Sequence, residues 1–205
     1  MSAAEHDYQV IARVERYAGP LFSVVTDEVT MPGGGTAARD YIRHTGAVGV
    51  VALDDAGRVV LLRQYRHPLG RRIWELPAGL TDIQGEGLAE AAARELAEET
   101  DLTAGRWDVL VDLHTSPGCS TELVRVFLAR DLGEVPAADR HDRHGEEADL
   151  SLHRVDLDEA VARVLTGEIT NAICVAGLLA AARARDAGWT GLRPADAPVS
   201  SATTP

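Results

Sequence analysis

The sequence predicts an α/β chain, a sandwich of mixed strands flanked by helices on both sides. Three observations lead there. Short apolar runs bounded by glycine, proline or aspartate recur between residues 8 and 155. An acidic segment of helical period, between Gly79 and Leu102, interrupts them. Two further helical stretches follow the last run. The 205 residues suit one domain with a small appendage, and 45% hydrophobic content with 4% aromatic predicts an aliphatic, alanine-rich core.

The elements follow in order. Residues 8–45 alternate apolar and polar groups around Met31-Pro32-Gly33-Gly34-Gly35, which predicts two strands joined by a glycine turn. Neither a helix start nor a lysine follows the triplet, so a turn is favoured over a phosphate cradle. Residues 47–53 read as a buried strand, Asp54-Asp55-Ala56-Gly57 as a hairpin turn and residues 59–65 as the return strand. Residues 73–76 are short and extended, and Pro77-Ala78-Gly79 breaks into a loop before the acidic helix. Residues 107–114 and 123–129 are two more strands around Pro117-Gly118.

The polar connection 131–149 is too long for a simple turn. A strand at 150–155 follows, then a helix capped by Asp156 and another over about 170–187 ended by Gly188. From Gly191 onward proline, serine and threonine predict a disordered tail. The expected organisation is an N-terminal β segment over 1–45, a main domain over 46–188 and a tail over 189–205, without internal repeats.

A net charge of -12 argues against nucleic acid or an anionic membrane as partner. Cys119 and Cys174 stand alone, which fits a reducing compartment. The opening MSAAEHDYQV has no basic start or apolar run, and the longest apolar stretch, 172–182, is too short to cross a bilayer. A soluble, cytoplasmic protein is expected. His141, His144 and His153 are irregularly spaced and read as solvated histidines before zinc ligands.

The acidic helix carries the chemistry. Glu95 and Glu99 are four apart and share a face, with Glu98 one step round. At ~100° per residue Glu99 projects only about 20° from Leu88, and Ala92 and Leu96 continue that apolar side. The carboxylates therefore edge the apolar stripe instead of opposing it. A plain surface helix, braced by pairs such as Arg94 with Glu98, is the alternative. Three carboxylates converging where the helix meets its core call for a cation, and such hard oxygens suit Mg²⁺ or Mn²⁺.

From Gly79 the segment resembles the signature of the Nudix hydrolases, enzymes that cleave nucleoside diphosphates linked to another group. That signature runs Gly, five residues, Glu, seven residues, Arg-Glu-hydrophobic-any-Glu-Glu-any-Gly-hydrophobic. Here Glu86 is followed after seven residues by Arg94-Glu95-Leu96-Ala97-Glu98-Glu99. Asp101 replaces the last glycine, and the gap from Gly79 to Glu86 is one residue longer than usual. Asp tolerates left-handed backbone, and Gly85 or Gly87 offers slack for the longer loop.

The resemblance implies a Nudix-type α/β/α sandwich with a mixed sheet. It also implies Mg²⁺ (or Mn²⁺) held by Glu95, Glu98, Glu99 and the Ala78 carbonyl, and a structural pair of Arg94 with Glu86 beside Gly79. Gly145-Glu146-Glu147-Ala148-Asp149-Leu150 resembles the catalytic loop of ADP-ribose pyrophosphatases, with Glu147 favoured over Glu146 as general base and Glu99 acting through the metal. Gln64-Tyr65-Arg66-His67, residues 74–79, Pro117 and the loop 116–122 resemble that subfamily, and the likeness extends over roughly residues 10 to 187.

Arg66 is the expected phosphate contact, with ion pairing as its alternative. Arg39, Leu80 and Ser120 are further candidates at the substrate. Relatives are homodimers, so Phe22 and Ser23 would serve the neighbouring subunit's site. The implied activity is hydrolysis of ADP-ribose to AMP and ribose 5-phosphate. Its rivals are another nucleoside diphosphate sugar such as GDP-mannose, or an ADP-ribose sensor that binds without cleaving.

Overall fold

The computed structural model describes residues 6–145 and 147–199, position 147 in its backbone only. The chain divides into two compact units, one running to Gly46 and including His114–Glu122, the other Ala47–Leu113 and the residues from Leu123 onward.

The first unit is an antiparallel sheet of β1 (Val10–Ala18), β2 (Phe22–Thr30) and β3 (Thr36–His44). The sequence predicts two strands here and the structure has three. The signal passed over is Gly19-Pro20, where the Gly19 amide donates to the Phe22 carbonyl at 3.0 Å and folds β2 back on β1. The glycine triplet is a turn: the Met31 amide bonds the Gly35 carbonyl at 3.1 Å, and all three glycines have positive φ. Buried Asp27 accepts from Arg13 at 2.7 and 2.8 Å and from the Tyr41 hydroxyl at 2.9 Å. The Arg13 guanidinium holds the Asp27 carboxyl below its ordinary range.

The second unit contains β4 (Ala47–Ala52), β5 (Arg58–Arg66), β6 (Arg71–Glu75), β7 (Ala78–Leu80), α1 (Leu88–Thr100), β8 (Leu102–His114, all but its last residue) and β9 (Leu123–Glu134). It continues with β10 (Ser151–Asp156), α2 (Leu157–Leu165), α3 (Ala172–Asp186) and β11 (Arg193–Pro194). One sheet runs β11-β8-β9-β4-β7, with β4 parallel to β9 and antiparallel to β7; a second runs β10-β5-β6.

Every residue of β4 is buried because helices cover both faces of its sheet. Val48, Val50 and Ala52, with Phe127 and Ala129, belong to a core with Ala91, Ala92 and Leu96 of α1. Val51, with Val126 and Leu128, joins Leu157 and Ala160 of α2 and Cys174, Leu178 and Ala181 of α3. Alternation along one strand thus builds two cores, and the result is an α/β/α sandwich. Helix α3 lies close because Gly177 has no side chain: a Cβ there would stand 2.7 Å from Leu76 and 3.1 Å from Val51 and Val126.

The Asp156 cap is as the sequence predicts, and α3 is followed by Gly188 at positive φ as expected, while its Asn171 cap is a further signal the sequence reading did not use. Asp156 accepts from the amides of Asp158 and Glu159, and Asn171 accepts from Cys174. Strand β9 continues past residue 129 to Glu134, which shortens the polar connection. The disordered tail expected from Gly191 is corrected through Val199. β11 pairs with Val109 and Asp108, and the buried Arg125 donates to the carbonyls of Ala197 and Pro198 at 2.5 and 3.2 Å. Composition alone does not reveal that a distant arginine ties this segment down.

Candidate active site

Helix α1 sets the geometry. At its start the Glu90 carboxylate accepts from the Gly87 amide at 2.9 Å, and Gly85, with φ +86°, takes up the longer loop. At its end Asp101 adopts φ 57° and its amide bonds the Ala97 carbonyl at 3.0 Å. Aspartate therefore fills the left-handed position that the Nudix signature gives to glycine. Burial of Ala91, Ala92 and Leu96 fixes the rotation of the helix about its axis.

That rotation turns the carboxylates toward β7. Glu99 is only 8% exposed, and its Oε2 accepts from the Ala78 amide at 2.9 Å. The Glu95 carboxylate lies over Gly79, where a Cβ would meet its carbon at 1.9 Å and its oxygens at 2.0 and 2.4 Å. Gly79 is thus glycine for want of space. Arg94 meets Glu86, the partner the resemblance implies, and also Glu98. Nε and Nη2 fork the Glu86 carboxylate at 2.8 and 3.0 Å, while Nη1 reaches Glu95 at 2.6 Å and Glu98 at 3.1 Å. This guanidinium holds the Glu86 carboxyl below its ordinary range, and the Glu86 hydrogen bonds raise the pKa of Arg94.

The donor set fits a divalent cation. Three carboxylates, of Glu86, Glu95 and Glu98, surround a single guanidinium, Glu99 is nearly buried beside them in sequence, and all the donors are hard oxygens. Among the described residues no three His, Cys, Asp or Glu side chains are gathered at metal-holding distance, because Arg94 spans Glu95 and Glu98. Both are long side chains, so bringing them together is a matter of side-chain rotamers.

Of the proposed bases, Glu146 lies outside the described residues. Glu147 opens a one-turn 3-10 helix, Glu147–Asp149, and its side chain is likewise outside them. Asp149 is ion-paired to Arg72 of β6. Arg143, which sequence reasoning passed over, donates from Nε to the Glu98 carbonyl at 2.8 Å and places Nη2 2.8 Å from the Asp101 carboxylate. The signal that points to it is the pairing of Asp at a glycine position with a helix whose last turn has no basic residue.

Arg66 has taken the ion-pair alternative. It forks the buried Glu75 at 2.9 and 2.6 Å, and the Asn171 amide reaches the same carboxylate at 3.4 Å. Leu80 pairs with Ala47 at the end of β7. The remaining candidates lie in the first unit. Phe22 and Ser23 open β2 opposite His44 and Arg43, and the Arg39 guanidinium donates to the Ala38 carbonyl at 2.9 Å. Ser120 Oγ accepts from the Glu122 amide at 3.1 Å.

A model of the NUDIX domain matches residues 43–172. The ADP-ribose pyrophosphatase of Mycobacterium tuberculosis is 49% identical over 193 residues, covering 94% of this chain and 91% of that protein. The ADP-ribose pyrophosphatase of Bacillus subtilis is 34% identical over 80% of this chain and 86% of its own. A crystal structure of an ADP compounds hydrolase superposes with a TM-score of 0.77 at 23% identity, covering 91% of this chain and 99% of that one.

Proposed function

This chain belongs to the NUDIX family, and from that premise we propose that it hydrolyses the diphosphate bond of ADP-ribose to AMP and ribose 5-phosphate. It is a hydrolase, and it depends on a divalent metal as the family does; Mg²⁺, with Mn²⁺ as substitute, is the ion proposed. The observation that carries the reading is the Glu99 carboxylate, nearly buried against the Ala78 amide, with Glu95 pressed over Gly79. A helix that needed acids only for solubility would keep them in water.

Glu95, Glu98, Glu99 and the Ala78 carbonyl would hold the ion, which supplies neutralisation of phosphoryl charge and acidification of water. The chain's own residues supply the rest. Arg94 fixes the loop through Glu86, and Glu95 and Glu98, which its Nη1 now holds, turn from it to serve as ligands. Glu147 removes a proton from the attacking water as its oxygen bonds to phosphorus and the bridging oxygen departs with the other product. Arg66, Arg39, Leu80 and Ser120 bind substrate, Arg66 while still neutralising Glu75. The protein acts as a cytoplasmic homodimer, in which Phe22 and Ser23 complete the partner's pocket. The apolar side chains of β1, a strand exposed at every position, support this.

Turnover of a panel of nucleoside diphosphate sugars with Mg²⁺ tests the substrate, and ADP-ribose should be fastest. Faster turnover of GDP-mannose overturns the claim, and tight ADP-ribose binding without turnover makes the protein a sensor. Glu147→Gln should lower kcat by roughly 10²-fold or more with metal binding retained. Full activity in Glu147→Gln beside a dead Glu146→Gln moves the base by one residue.

A further inference from the structure

We propose that Arg143, gripping Asp101, is the positioning residue that sets the reach of the catalytic connection between β9 and β10. This rests on the proposal that the connection carries the general base.

Asp101 is a hub for that connection. Its amide ends α1 on the Ala97 carbonyl at 3.0 Å, and its carbonyl accepts from Val135, at the head of the connection, at 2.9 Å. Its carboxylate lies 2.8 Å from Nη2 of Arg143, further along the same connection, an ion pair held by charge and proximity without hydrogen-bond alignment. Nε of Arg143 meanwhile bonds the carbonyl of Glu98, a proposed metal ligand, at 2.8 Å. One guanidinium thus joins the connection both to the helix end and to the backbone of the ligand residue.

Charge favours the arrangement. The C-terminal carbonyls of α1 carry partial negative charge, and the last turn supplies no basic residue of its own. Arg143 provides that charge from elsewhere in the sequence. A glycine at position 101 would take the left-handed cap at least as readily, so the carboxylate adds only the grip. Both side chains are 22% exposed. The other tether of the connection, Asp149 to Arg72, is 62% and 48% exposed and is screened as a surface pair. The Arg143 end is therefore the firmer one.

The distances are short. Glu147 follows Arg143 by four residues, a span of at most roughly 14 Å in extended chain. Anchoring Arg143 confines the backbone that carries Glu147 to that radius around the end of α1. Releasing it leaves the metal ligands in place while the base loses its register. Misplacement by about an ångström can cost on the order of a hundredfold in rate.

A double-mutant cycle tests this. Arg143→Ala and Asp101→Asn each remove the pair, and asparagine keeps the left-handed cap. Each should lower kcat roughly tenfold or more, with KM and Mn²⁺ affinity, read by titration, within about twofold of wild type. The double variant should be no slower than the worse single, and Arg143→Lys should recover part of kcat. In a Glu147→Gln background, Arg143→Ala should add no further loss. Wild-type kcat in Arg143→Ala, a loss that follows Mn²⁺ affinity, or additive losses in either cycle would overturn the proposal. Full activity of both Glu146→Gln and Glu147→Gln is a separate result: the connection would then carry no base, and the inference would fall with that assignment, not with the cycle.

Discussion

Gly79 and Glu95 show how a single missing methyl group shapes the site. The Glu95 carboxylate fills the volume that any Cβ at position 79 would need, at separations down to 1.9 Å. The atoms in the way end a flexible side chain, so alanine there would displace the carboxylate before disturbing the backbone. Gly79→Ala should therefore fold, with a stability loss of about 1 kcal/mol or less. Its metal affinity and kcat should each fall at least roughly tenfold, as Mn²⁺ titration and steady-state assay would show. Glu99→Gln tests a different aspect, since its amide oxygen can still accept from Ala78 while the charge is gone. It should retain the melting temperature and lose roughly 10²-fold or more in turnover; an active Glu99→Gln would contradict the ligand assignment.

At the scale of elements, α1 turns its proposed ligands toward β7 because its other side is committed to the core. Leu96, wholly buried with Ala91 and Ala92, leaves the helix one rotational setting. The C-terminal segment depends on the core in another way. Asp112 accepts from the buried Arg125 at 2.7 and 3.0 Å and from Arg193 at 2.7 Å, and Arg125 in turn holds the carbonyls of Ala197 and Pro198. Burial raises the Asp112 pKa, but the two guanidinia outweigh it and hold the carboxyl below its ordinary 3.8. Its contribution is thus fully present above that ordinary value and is lost as pH falls through the lower folded one. Asp112→Asn should cost about 3 kcal/mol, because it leaves Arg125 buried and underneutralised. Chymotrypsin should then cut after Leu192, beside β11, much faster than in wild type at pH 8. The variant's stability should also fall less than the wild type's on acidification below pH 3.8. Equal cleavage of the two proteins would show that β11 is held by other means.

For the whole molecule, the proposed homodimer gives β1 a purpose that its own chain does not. All nine of its residues are exposed, among them Val10, Ile11, Val14 and Tyr17. Val14→Arg should leave the subunit folded and shift it from dimer to monomer in sedimentation velocity. Its KM for ADP-ribose should rise with the loss of Phe22 and Ser23 from the partner's pocket. A monomeric wild type with full activity would sink both points.

The residues that local spacing governs were legible before any fold was known. Helix period set the Glu95, Glu98 and Glu99 cluster against Leu96, and cap chemistry gave Asp156 and the left-handed Asp101. The Gly19 turn was passed over because the longer glycine run nearby is the stronger punctuation. Tail order was not legible, and Asp101 signalled a basic partner without saying which, since both depend on arginines meeting backbone carbonyls far away in sequence. By itself the sequence determined which side chains share a helical face, where the helices begin and end, and so the family and its chemistry. Only the tertiary structure decided which guanidinium meets which carboxylate: Arg66 on Glu75, Arg125 on Asp112, Arg143 on Asp101. The physical reason is range: periodicity and capping act within a few residues, whereas charge pairing depends on distances that exist only once the sheets and helices have packed.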